Sequence, residues 1–298
     1  MAESIVGHPV EGADAVVLGV PWDKDASFGR GAAGGPQAIL ECLHSQIELY
    51  ERFSGTEPAR RFKIGHELLD RVSDLAPGEM IAAVTARVAA LDALVVVLGG
   101  THTVSLGALQ AVARRVDPAT VTIVQLDAHL DLRDDDSDYN DDSPSPLAHS
   151  CVMRRAHELG FRTCALGIRA FAKVEHAYAS RHKMPVFEWG RGPEPSHDAI
   201  LAAIPTNRVY LTIDVDGFDP AVMPATGTPV PGGISWAWGS ALLRRICSEM
   251  EVIGADIVEV APDGISGLTE YAAAQLCYEL VGHTLLRARG SRGIPQTG

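Results

Sequence analysis

The chain has 298 residues, 46% of them hydrophobic, and a formal net charge of −13. That acidity disfavours nucleic acid and anionic membranes as partners, and no run of eighteen or more apolar residues offers a membrane span. Five cysteines (Cys42, Cys151, Cys164, Cys247 and Cys277) form no CxxC pair and leave an odd count, while the N-terminus shows neither a basic leader nor a signal-peptide core; both features fit a reduced, cytoplasmic protein.

In chain order the hydrophobic pattern predicts a strand from Asp14 to Val20, a helix from Gly35 to Phe53 and another from Pro77 to Leu91. A strand from Ala93 to Leu98 and a helix from Val104 to Arg115 follow. Next come a strand from Val121 to Leu126, a helix from Leu147 to Leu159, and strands from Thr163 to Ile168, Pro185 to Glu188 and Val209 to Ile213. A helix from Ile234 to Met250, a strand from Val252 to Glu259 and a helix from Gly267 to Arg287 close the chain. Strands alternating with helices argue for an α/β fold with a mainly parallel sheet of about eight strands. No internal repeat or linker divides residues 1–298, so one domain is expected. Between Asp134 and Pro146, the segment DDDSDYNDDSPSP has no periodicity and reads as a loop or lid. It lacks the central glycine and terminal glutamate of an EF-hand loop.

Open parallel sheets bind ligands beyond the carboxyl ends of their strands. Three apolar runs end there in acids and imidazoles: ALVVVLGGTHT supplies His102, VTIVQLDAHLDLRD supplies Asp127, His129 and Asp131, and RVYLTIDVDGFDP supplies Asp214 and Asp216. An unpaired carboxylate against a buried strand costs several kcal/mol, so four of them ask for compensating cations. Two divalent ions balance the four aspartates. Strand alternation places Asp127, His129 and Asp131 on one face, and Asp214 with Asp216 on one face. Such clusters can hold two ions roughly 3.5–4 Å apart, as in two-metal hydrolysis. Carboxylate and imidazole donors suit Mn²⁺, with Ni²⁺, Co²⁺ or Zn²⁺ as alternatives. The plainer reading is that each acid caps a helix or closes a turn.

GGTHT, DAHLDLRD and TIDVDGFDP resemble the signature segments of the ureohydrolase (arginase/agmatinase) family. PWDKDASFGRGAAGGPQAI, PATGTPVPGG and IVEVAP are similar to its other segments, and the resemblance runs from about Gly19 to about Gly282. It implies a three-layer α/β sandwich, the arginase/deacetylase-like fold, and a homo-oligomer, trimer or hexamer. It also implies a division of ligands. One ion would take His102, Asp127, Asp131 and Asp214; the other would take His129, Asp127, Asp214 and Asp216. Two ions sharing a water acidify it enough to supply hydroxide near neutral pH, and Asp131 would hold that nucleophile. Cleaving a guanidino group to urea and an amine also needs a proton donor near neutrality. His149, in LAHSCVMRRA, matches the family's proton-shuttle histidine; its plainer reading is a surface histidine at a helix start. Glu259 matches a substrate-binding glutamate, since a planar guanidinium pairs well with a carboxylate. Thr228 matches a residue near the substrate end, though a structural turn explains it as well. Gly99 and Gly100 read as a tight turn with close backbone approach.

Arginine-specific members carry an SGNxHG segment before the shuttle histidine, whereas SPSPLAHS stands here, after a loop dense in aspartate. An acidic mouth repels a carboxylate and attracts an ammonium, so the expected substrate is a small cationic guanidino compound. Agmatine, giving putrescine and urea, leads over arginine, guanidine or a guanidino acid. One departure stands out: Thr101 occupies a position where the family usually has an acid, expected to support the metal ligands from behind. Three rival readings remain. A metal-dependent deacetylase of the same fold would need one ion, and a non-catalytic homologue would tend to lose ligands. Cys151, two residues from His149, could act as a deiminase-like nucleophile.

Overall fold

The computed structural model describes residues 4–291. In chain order the elements are β1 (Ala15–Val20), α1 (Gly35–Ser45), α2 (Pro58–Arg61), β2 (Ile64–Leu68), α3 (Pro77–Ala89), β3 (Leu94–Gly99), α4 (Ser105–Ala113) and β4 (Val121–Leu126). They continue with α5 (Val152–Glu158), β5 (Arg162–Ile168), α6 (Lys173–Arg181), β6 (Val186–Glu188), α7 (His197–Ala203), β7 (Arg208–Asp214), α8 (Trp236–Glu249), β8 (Glu251–Val258) and α9 (Leu268–Ser291).

The eight strands form one sheet, ordered β2-β1-β3-β8-β7-β4-β5-β6, and every pairing is parallel. Strand alternation sorts the apolar side chains into two cores. On β1, Ala15 and Val17 face α1, α8 and α9, whereas Val16, Leu18 and Val20 face α3 and α4. Helices therefore cover both faces, giving the three-layer sandwich. Because both faces are covered, central strands such as LVVVLG and VTIVQL are continuous apolar runs. Burying each large aliphatic side chain there stabilises the fold by about 1.5–3 kcal/mol.

Three differences from the sequence reading have local causes. α1 ends at Ser45 because the following segment turns around Glu51. That carboxylate is buried, accepts the backbone N–H groups of Phe53 (2.8 Å) and Ser54 (2.6 Å), and lies 3.2 Å from His283 Nε2. The strand β2 was not predicted, since His66 and Glu67 interrupt a five-residue, half-buried edge element. Helices α6 and α7 were missed too; the first is polar and weakly amphipathic, the second only seven residues long.

Strands β3, β8, β7 and β4 are neighbours at the middle of the sheet. Their carboxyl ends deliver His102, Glu259, Asp214 and Asp127 to one place.

Candidate metal centre

The first group of side chains comes from the turn after β3. Gly100 lies against Trp22 so closely that a Cβ would sit 1.9 Å from the Trp22 carbonyl oxygen, so only glycine fits. The chain then enters a 3-10 turn over His102–Val104. His102 is fully buried, and its Nε2 lies 2.8 Å from Thr212 Oγ1. That hydroxyl donates to Asp256 Oδ1 at 2.6 Å, so it must accept from the imidazole. The relay places the ring proton on Nε2 and turns the Nδ1 lone pair to the opposite side. There Nδ1 faces Asp131 Oδ2 at 3.0 Å, Asp127 Oδ2 at 3.4 Å and Asp214 Oδ2 at 3.7 Å, buried and without a hydrogen-bond partner.

The second group forms where β4 and β7 end. Asp127 Oδ1 accepts the His129 N–H (2.6 Å) and its Oδ2 accepts from Gln125 Nε2 (2.8 Å). His129 Nδ1 lies 3.1 Å from Asp216 Oδ2 and 3.6 Å from Asp127 Oδ1. Asp214 is the last residue of β7, and its Oδ1 accepts the Asp216 N–H (2.9 Å). Arg169 packs behind, donating to the carbonyl oxygens of Asp216 (2.6 Å) and Val230 (2.6 Å).

Strand alternation is not what brings these groups together. β4 stops at Leu126, and Asp216 lies in a 3-10 turn over Val215–Gly217. Asp131 is turned inward by a left-handed backbone, φ 51°, and Glu259 has φ 65°. For non-glycine residues such conformations cost about 1–3 kcal/mol each and collect at functional sites. The convergence is made by loops fixed to the strand ends.

The six ligand candidates thus form two overlapping groups, His102–Asp127–Asp131 and Asp127–His129–Asp216, sharing Asp127, with Asp214 beside His102. Their electrostatics fit cations. Burial opposes charge on His102, yet Asp127 and Asp131 outweigh it and hold the imidazole well above its usual range. Burial likewise opposes charge on His129, but Asp127 and Asp216 raise it to about 11. Burial, then Asp216 and Asp127, push Asp214 well above the carboxylate range. Protons occupy the cluster where divalent ions would compensate the same carboxylates, and once its proton is displaced the Nδ1 of His102 would offer a lone pair to one of them.

Above this floor opens a cavity of about 370 Å³, lined by His129, Asp131, Tyr139, His149, Glu175 and Thr228 among others. His149 begins the 3-10 turn before α5, with Nε2 buried and unpartnered. Its Nδ1 lies 3.9 Å from Glu259 Oε1, which accepts the His102 N–H at 2.7 Å. Burial pushes Glu259 up to about 7, while His149 pulls it down. Thr228 Oγ1 donates to Asp216 Oδ2 at 3.0 Å. Cys151 is buried and its thiol is pushed up to about 12, chiefly by burial, so it offers no thiolate for nucleophilic attack.

The acidic loop is less negative than its composition. Asp136 turns inward to accept from Ser145 N (2.5 Å) and Asn140 Nδ2 (3.0 Å). Asp134 pairs with Arg155 (2.9 Å) and Arg154 (3.4 Å), and Asp138 pairs with Arg133. Asp141 and Asp142 remain exposed. Tyr139 of this loop reaches the cavity wall and meets Ser150 Oγ at 2.8 Å. Neither Tyr139 nor Asp25, which joins Thr101 to His149, was singled out from sequence. The signal for Asp25 lay in PWDKDASFGRG, where a second acid follows Asp23 at a separation of two.

Residues 13–282 match the sequence profile of the Arginase family. Over 283 residues the chain is 36% identical to the N(1)-aminopropylagmatine ureohydrolase of Synechocystis sp., covering 90% of this chain and 88% of that one. Over 288 residues it is 30% identical to the agmatinase of Pyrococcus horikoshii, covering 92% and 93%. Among solved structures, the agmatine ureohydrolase of Thermoplasma volcanium aligns with a TM-score of 0.81 at 27% identity, over 97% of this chain and 95% of that one.

Proposed function

The chain belongs to the arginase family of ureohydrolases, enzymes that hydrolyse C–N bonds of linear amidines, and from that premise we propose that it releases urea from a guanidino compound with a cationic tail, agmatine first. One observation carries this reading: two carboxylate–imidazole groups share Asp127 on the floor of a cavity that His149 also lines. His102, Asp127, Asp131 and Asp214 would hold one divalent ion, and His129, Asp127, Asp214 and Asp216 the other. Manganese is the favoured metal, with nickel, cobalt or zinc as alternatives. The ions would supply Lewis acidity and acidify water.

The chain's own residues complete the chemistry. Asp131, held inward at φ 51°, presents a carboxylate beside His102 to accept a hydrogen bond from the attacking water. His149 lines the cavity and has an unpartnered Nε2, and it would protonate the leaving amine, which departs poorly as an anion. Glu259, 3.9 Å from His149, would steady the substrate's cationic end. Thr228 would orient Asp216 and touch the substrate. Beyond His149, the tail would run past Tyr139 toward the exposed Asp141 and Asp142.

The Synechocystis relative's name supports a second substrate, agmatine extended by an aminopropyl group. A longer cationic tail would reach further toward the same acidic loop. The experiment is urea release by Mn²⁺-loaded protein given agmatine, N(1)-aminopropylagmatine, arginine, guanidinobutyrate and guanidine at equal concentration. Turnover of the two cationic-tailed compounds alone is expected. Preferred turnover of arginine or guanidinobutyrate would overturn the specificity reading, and no urea from any of them would overturn the reaction. A cytoplasmic location and assembly into trimers or hexamers belong to the same reading, and light scattering in solution tests the assembly. Among the described residues, no helix is long and apolar enough to cross a membrane.

A further inference from the structure

Asp25, in the loop between β1 and α1, is hydrogen-bonded to two separate parts of the site. Its Oδ1 accepts from Thr101 Oγ1 at 2.6 Å. Its Oδ2 accepts from Thr103 Oγ1 and from the backbone N–H of His149, the latter at 2.8 Å. Thr101 and Thr103 flank His102. One carboxylate therefore ties the His102 turn to the His149 turn, alongside the Thr103 hydroxyl, 3.2 Å from the Leu147 carbonyl oxygen, and Glu259, which accepts the His102 N–H and lies 3.9 Å from His149 Nδ1. Two of its partners are fully buried threonines, so the staple is closed to competing water on that side. Thr101 stands where a carboxylate was expected, and the structure brings one to that place from a different loop.

We propose that Asp25 is a positioning residue for turnover, setting where His149 stands relative to the carboxylate–imidazole floor. The inference rests on the reading of His149 as proton donor. Asp25 is too occupied to meet substrate; its effect passes through the His149 backbone. Removing its oxygens releases the His149 N–H and frees the imidazole to drift, and a displacement of about 1 Å in a reacting group costs on the order of 10²-fold in rate. What matters is acceptor geometry. An asparagine can keep its carbonyl oxygen on Thr103 and His149 while its amide faces Thr101, whose hydroxyl can turn to accept.

The test is a double-mutant cycle on the Mn²⁺-loaded full chain, with kcat, KM and bound metal per chain measured for each variant. Asp25→Ala should lower kcat by about 10–100-fold, with KM within about twofold and metal content unchanged. Asp25→Asn should restore most of that loss. In a His149→Ala background, Asp25→Ala should change kcat by less than about twofold, because the group it positions is gone. Asp25→Ser stands in where the alanine variant fails to fold, with a loss between those of Asn and Ala.

A full loss persisting in the His149→Ala background would overturn the inference, as would loss of bound metal in Asp25→Ala or an unaltered kcat. A merely structural staple would instead lower thermal stability and the active fraction equally in both backgrounds. Wild-type kcat in His149→Ala itself would overturn the proton-donor reading and the inference with it. Wild-type kcat in Asp25→Ala beside a large loss in His149→Ala would overturn the inference alone.

Discussion

The two halves of the candidate metal centre are built from the same residue types but to different standards. The half around His102 is sealed: the imidazole is fully buried, its Nε2 is held by Thr212 and Asp256, and three carboxylates surround its Nδ1. The half around His129 opens to the cavity. That side chain is 29% exposed, and among the described residues no comparable buried relay holds its far nitrogen. A buried, pre-oriented ligand set loses less entropy on binding and is less screened by water. The contrast teaches that one half should act as a fixed anchor and the other as the adjustable, substrate-facing position.

The largest effect expected comes from erasing what the halves share. Asp127→Ala should abolish binding of both ions and reduce urea release by more than about 10³-fold, since a bridging carboxylate and its charge are lost together. Metal analysis after dialysis checks this. If one ion remained at wild-type affinity, Asp127 would not be the bridge.

The relay sharpens the comparison next. Thr212→Val keeps the volume near His102 but removes the acceptor for its Nε2–H. The affinity of one ion should fall by about 10–100-fold, the usual cost of losing such an outer partner, while the second ion is hardly affected. Stepwise titration of metal-stripped protein gives both affinities. Equal weakening of both would mean that the two halves are one cooperative unit.

The ligand candidates were legible in the sequence, but the contrast between the two halves was not. The six ligand candidates stand at the ends of apolar runs, and hydrophobic pattern together with strand-end chemistry was enough to group them. Gly100 was readable as a close approach for the same reason. The positions of the strand-end acids were foreseen, but the cause of their convergence was not: side-chain alternation belongs to strands, and Asp131 and Asp216 lie just beyond them. Left-handed backbone at Asp131 and Glu259 has no signature in residue type. The relay was invisible because Thr212 and Asp256 sit on neighbouring strands, 44 residues apart. Asp25 lies 76 residues from Thr101 and 124 from His149, so the PWDKD segment could flag an acid but not name its partners. The acidic loop misled in one respect. Counting its aspartates overstated its field, because arginines from α5 and from the loop's own start neutralise part of it.

pH acts on both halves, because both imidazoles are held above their usual range. In the cation-free protein His129, raised to about 11 by Asp127 and Asp216, holds a proton across the neutral range despite its partial burial. A metal ion must displace that proton, so raising the pH favours binding, by up to about tenfold per unit for each proton released. Affinity should therefore climb from pH 6 to pH 9 and fall in acid. Calorimetric titration in buffers of different ionisation enthalpy counts the protons released. An affinity independent of pH would mean that neither His102 nor His129 gives up a proton to ligate.

Thr228 offers the smallest and most discriminating change. Its hydroxyl donates to Asp216 Oδ2, on the exposed half, and it also lines the cavity. If its task is to aim Asp216, Thr228→Val should weaken the exposed-half ion by roughly fivefold, the worth of one ordinary hydrogen bond of about 1 kcal/mol. KM would change little at saturating metal, and Thr228→Ser should behave as wild type. If the hydroxyl instead meets substrate, the valine variant should raise KM and leave both ion affinities alone. The hydrogen bond already present favours the first outcome: the hydroxyl has one proton, and Asp216 receives it. A substrate could still use the oxygen's lone pairs through an N–H donor, so the two effects can coexist only if KM and the weaker ion affinity move together.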